Sequence, residues 1–72
     1  MWISPDKVEL FQHPVPGILE AEVSIHQTGR VKAIASSWPA ELYPSDARTI
    51  AVGSPVLVMG IRGITLLVKS EF

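Results

Sequence analysis

The chain has 72 residues, enough for one small domain, and its 47% hydrophobic content comes without a single cysteine, which excludes a disulfide framework and a thiolate metal site. Six basic residues against seven acidic ones leave a net charge of −1 with no basic block, so the electrostatic footprint of a nucleic-acid binder is missing. Ordering costs about 1.5 kcal/mol per residue, and a barrel closed on itself or a partner subunit is the natural way to stabilise so small an all-β core.

The first residues, Met1-Trp2-Ile3-Ser4-Pro5-Asp6, carry neither the basic nor the apolar region of a signal peptide. The expectation is a cytoplasmic chain, open to recruitment at a membrane surface. Ser4 suits a helix N-cap, Pro5 the first helical position and Asp6 the first turn, with Ile3 and Val8 spaced as a hydrophobic staple. A turn or two of helix over Pro5–Gln12 is one reading; a short edge strand alternating through Val8 and Leu10 is the other. His13-Pro14-Val15-Pro16-Gly17 reads as a stiff linker, because proline cannot donate to a ladder. Residues 1–18 are therefore expected as an N-terminal extension and 19–72 as the barrel.

From Ile18 the period is two: Leu19, Ala21, Val23 and Ile25 share one face, and Glu20, Glu22, Ser24 and His26 the other. Gln27-Thr28-Gly29 is the expected turn, with Gly29 free to take positive φ. Arg30–Ala35 returns, and pairing of Glu20 and Glu22 with Lys32 and Arg30 favours this hairpin. Ser36-Ser37 interrupts, then Trp38–Tyr43 forms a third extended segment that Pro39 restricts to an edge or a strand start. Pro44–Arg48 is expected as a loop.

Residues 50–69 are the most apolar stretch and the organising one. Two strands, Val56–Met59 and Ile64–Val68, are joined by Gly60-Ile61-Arg62-Gly63, with Gly53 and Pro55 punctuating the front. A ribbon apolar at nearly every position needs cover on both sides. Residues 50–68 also approach the length of a membrane span. Three glycines, a proline and Arg62 near the middle oppose that reading, since a central arginine costs roughly 2.5–3.5 kcal/mol on insertion scales. About five short strands with no long helical period make a small β-barrel.

The order of residues resembles the C-terminal soluble domain of the NfeD-like family. The resemblance is carried by Thr28-Gly29-x-Val31, Trp38-x-Ala40, Ile50-x-x-Gly53-x-x-Val56-x-Val58 and Gly63-x-x-Leu66-x-Val68, over about residues 19–69. It implies a five-stranded OB-fold barrel. It also implies a non-catalytic interaction module that is accessory to stomatin-like (SPFH) membrane scaffold proteins. The membrane helices and the protease-like domain of longer family members have no counterpart in this sequence, so nothing catalytic transfers. The family's first strand is typically punctuated by glycine, whereas Glu20 and Glu22 stand there in this chain, preceded only by Gly17.

Chemistry is weighed against blander readings. His13 and His26 are the only histidines, and Glu22 and His26, four apart on a strand, stand roughly 13 Å from each other, too far to share a metal; an exposed His26 is preferred. The serines lack a nucleophile elbow. Gly60–Gly63 lacks the lysine and helix of a phosphate loop, and Glu20 with Glu22 reads as a solvated pair. Neither enzyme, metal nor cofactor is expected. Trp38, Tyr43, Ile61 and Arg62 are the candidate interaction surface. The competing expectation is a single-stranded nucleic-acid binder on the same barrel, using aromatics such as Trp38 and Tyr43.

Overall fold

The computed structural model describes residues 8–43 and 49–71. The proposed cap at Ser4, the position of Trp2 and the Pro44–Arg48 loop lie outside them. Five strands form the domain: β1 (Val8–Ala21), β2 (Gly29–Ala33), β3 (Ser36–Leu42), β4 (Pro55–Arg62) and β5 (Thr65–Ser70). They close into a barrel in the order β1-β2-β3-β5-β4, and β4 returns to β1. Every pair is antiparallel except β3 with β5. The all-β class, the strand number and the closed OB-fold-like barrel agree with the sequence expectation. No helix among the described residues is long and apolar enough to cross a membrane.

The interior is aliphatic. Leu19, Val23, Val31, Ala33, Ala40, Ile50, Val56, Val58, Leu66 and Val68 form one buried cluster, with Phe11, Val15, Trp38, Leu42 and Ile61 packed against it. No polar or charged side chain is buried among the described residues. The period-two pattern explains this, because a barrel strand puts alternate residues inside.

Of the two readings of the N-terminal lead, the strand through Val8 and Leu10 holds, and the helix and the stiff linker do not. Residues 8–18 are part of β1: Val8, Glu9 and Leu10 pair with Arg62, Ile61 and Gly60, and Val15 to Ile18 pair with Val58 to Pro55. Pro14 lies in the irregular stretch between Leu10 and Val15, which has no ladder partner on β4, and Pro16 is tolerated because of ladder parity. Pro16 faces Leu57 and Pro55 faces Ile18, two positions apart, and in an antiparallel ladder alternate pairs exchange no hydrogen bonds. Both prolines can occupy such pairs without breaking a bond. An irregularity between Leu10 and Val15 absorbs the mismatch in length with β4.

The first hairpin also differs from expectation. β1 stops at Ala21, and the reversal comes at Ser24–Gln27, where the two residues exchange backbone hydrogen bonds of 2.9 and 3.2 Å. Val23 instead pairs with Ile50, bonding in both directions. Glu22 and His26 therefore do not share a strand, and Ile25 is exposed in the turn instead of facing the core. Gly29 is a strand residue without positive φ. Its need is space: a Cβ there would stand 2.4 Å from the carbonyl oxygens of both Ala21 and Glu22.

Lys32 opposes Ile18 and Arg30 opposes Ala21, and a bulge between Leu19 and Ala21 leaves Glu20 without a direct ladder partner. Glu20 accepts instead from the Ser37 hydroxyl, which itself accepts from Arg30 Nε at 3.1 Å. Ser36 and Ser37 are not a break but the start of β3. The reversal falls at Ile34-Ala35, and Arg30–Ala35 is thus shortened to Gly29–Ala33.

The C-terminal ribbon is a hairpin, as its pattern indicates, but longer than expected. β4 runs through Gly60 to Arg62, and the turn is Gly63-Ile64. A second bulge lies between Val58 and Gly60. Cover on both sides is complete only at Leu66, Leu67 and Val68, all buried in succession. On β4 the outward Leu57 and Met59 are half-buried.

Candidate functional site

Ladder partners share a face of the sheet, so the register assigns the surface of the β3–β5–β4 wall. Leu66 and Val68 point inward with Ala40, Ile61, Leu42 and Val58. Leu67 therefore points outward, flanked by Glu41 on β3 and Gly60 on β4. It is buried nonetheless, and it stands apart from the core cluster. Something on the outside of the barrel covers it.

Beside it on the outer surface lies a groove of about 470 Å³. Leu67 lies among its lining residues, with Val8 at the start of β1, the Ser24–Thr28 segment of the β1–β2 connection, Glu41 to Tyr43 at the end of β3, and Arg62 on β4. An Arg62–Glu41 ion pair spans the intervening strand β5, from guanidinium Nη2 to carboxylate Oε2. Both side chains stay partly exposed, so the pair organises this wall more than it stabilises the fold. The β1–β2 reversal on the other side is tightened by the His26 backbone N–H, which donates to Ser24 Oγ at 3.3 Å. Tyr43 is held by its own backbone N–H, 2.7 Å from the Val68 carbonyl.

The four residues singled out from the sequence divide into two places. Tyr43 and Arg62 line the groove together. Trp38 and Ile61 do not; both pack against the core cluster, and the Trp38 indole N–H donates to the Ala33 carbonyl at 3.0 Å. Trp38 thus braces the β2–β3 hairpin. Sequence reading missed Glu41, Leu67, Val8 and Ile25 as site residues. Leu67 had a signal, since the doublet Leu66-Leu67 breaks the inside–outside alternation and marks an apolar side chain pointing outward. Val8 and Ile25 had none, because only the tertiary fold brings the start of β1 and the β1–β2 reversal to one groove.

The groove offers apolar surface, a tyrosine and a neutralised ion pair. Among the described residues no three metal-ligating side chains gather, and no buried side-chain polar atom lacks a partner. No residue of β2 lines the groove, whereas OB-fold barrels bind oligonucleotides on the face of strands 2 and 3. No family model, curated protein or solved structure matches the chain.

Proposed function

We propose that this chain is a non-catalytic interaction module that docks a protein partner in the groove between the β1–β2 connection and the β3–β5–β4 wall. In keeping with its NfeD-like resemblance, the proposed partner is a stomatin-like membrane scaffold protein. The observation that carries the reading is the groove that sets exposed Val8 and Ile25 beside Tyr43 and the partly exposed Arg62–Glu41 pair. Protein interfaces combine a desolvated apolar centre with aromatic and arginine anchors and a polar rim. Catalysis by a side-chain acid or base would need convergent titratable groups aimed at one point, and the carboxylate in this groove is already engaged by Arg62.

A single-stranded nucleic acid is the competing ligand. Against it stand the net charge of −1 and an arginine whose charge Glu41 balances. The deciding experiment is capture of a stomatin-like protein by the immobilised chain, wild type against Tyr43→Ala and Arg62→Glu. Each substitution should weaken capture by about tenfold. Equal capture by all three proteins refutes the groove as the docking site, and no capture at all refutes the partner. A salt-sensitive gel shift with an oligonucleotide would favour the competing ligand.

A further inference from the structure

Ladder register also assigns the outside of the β1–β4 wall, a surface away from the groove. Leu19, Val56 and Val58 belong to the core cluster, so Ile18 and Pro55 point outward as one ladder pair, and Pro16 and Leu57 do so two positions along. These are the pairs without hydrogen bonds, in which facing side chains stand closest. The result is a block two strands wide and apolar throughout. Ile18 is 48% exposed, both prolines are exposed and Leu57 is half-buried. A contiguous apolar patch of this kind, rimmed by polar residues, marks an interaction site.

The two sides of the block carry opposite charge. Lys32 on β2 is the ladder partner of Ile18. On the far side Val56 pairs with Ser70, the last residue of β5, so one further step sets exposed Glu71 beside Pro55. Lys69 stands opposite Leu57 on that same side. Glu20 and Arg30, the other charged groups near Lys32 on this face, are joined through the Ser37 hydroxyl.

Such a face complements itself. A two-fold axis parallel to the strands, between β1 and β4, lays Ile18 of one copy on Pro55 of the other, Pro16 on Leu57, and Lys32 on Glu71. Sheets stack in this way about 10 Å apart with their strands nearly aligned. An anionic lipid surface fits less well, because Glu71 shares the face and the net charge of the chain is −1.

We infer that the outer β1–β4 face is the interface of a two-fold homodimer, in which Lys32 of each copy pairs with Glu71 of the other. The occupant is chosen by charge complementarity, and the inference does not depend on the groove or on the partner proposed for it.

Sedimentation equilibrium of the full chain over a concentration series tests it. The wild type should approach twice the 7.8 kDa chain mass. Ile18→Arg should weaken the dimer about tenfold or more, and Lys32→Glu or Glu71→Lys alone about tenfold, since each sets like charges face to face. The double variant Lys32→Glu/Glu71→Lys should recover the dimer. Ile64→Arg, exposed in the turn past the other end of β4, should dimerise as the wild type does. Far-UV circular dichroism checks the fold of each variant, and recovery in the double variant separates a lost contact from a lost fold. A monomer throughout the series, a dimer that Ile18→Arg or the single reversals leave intact, or a double variant that stays monomeric overturns the inference. So does a monomeric chain whose binding to phosphatidylserine vesicles is abolished by Ile18→Arg, which would assign the face to lipid.

Discussion

Ile34 and Ala35 occupy the β2–β3 turn with φ of 54° and 58°. Two-residue hairpin turns of this hand favour Asn-Gly, because an L side chain in the left-handed region costs roughly 1–2 kcal/mol. A β-branched isoleucine is a poor choice, and at 61% exposure it recovers little by packing. Replacing the pair by Ile34→Asn and Ala35→Gly should raise stability by about 1–2 kcal/mol, read as a higher Tm by roughly 4–8 °C per kcal/mol. An unchanged or lower Tm would contradict the strain. Sequence reading ran β2 through Ala35 and broke the chain at Ser36-Ser37 because no glycine or asparagine marks the true reversal. At the same scale, the Arg62–Glu41 pair is partly exposed. A double-mutant cycle with Arg62→Met and Glu41→Gln should return about 0.5–1 kcal/mol of coupling. The coupling should shrink as salt is raised; a salt-independent value would mean the pair is shielded from solvent.

Among the elements, β1 departs furthest from its sequence. Two prolines and a glycine within five residues argue for a linker, yet the segment is the middle of a 14-residue strand. Propensity describes a residue in isolation, whereas ladder parity is a property of two strands and is invisible until both are placed. The same limit applies to Gly60, expected in a turn and found inside β4. A Cβ at Gly60 would lie 2.4 Å from the Glu9 carbonyl oxygen and 3.0 Å from Leu10 Cα. Gly60→Ala must therefore push β1 away from β4, with an expected loss of about 1–3 kcal/mol, measured as a lower urea midpoint. A midpoint equal to wild type would show that β1 can shift freely there. The loss should also disturb the groove, since Val8 and Arg62 are paired two positions further along the same ladder.

For the molecule as a whole, the weak join of the barrel is β3 with β5. They pair only from Ala40↔Leu66 to Leu42↔Val68, while β1 and β4 pair from Val8↔Arg62 to Ile18↔Pro55. Backbone amides bridging β3 and β5, Tyr43 among them, should exchange with solvent faster than those between β1 and β4. Hydrogen exchange followed by NMR checks this, and uniform protection around the barrel would refute it. This join also forms part of the groove wall, through Glu41 and Leu67, so a bound partner should slow exchange there first.

Local pattern alone determined that the chain is all-β, that its core is a set of alternating aliphatic side chains around Val56–Val68, and that its ends of apolar runs are turns. Those features follow from side-chain periodicity, which depends on neighbours in the chain. Tertiary structure decided that Val8–Gly17 is strand, where each reversal falls, and that Val8, Ile25, Tyr43, Arg62 and Leu67 share one groove. The physical reason is closure: strand register, bulges and the facing of Leu67 are set when distant segments hydrogen-bond into a ring, and no residue encodes its cross-strand partner by itself.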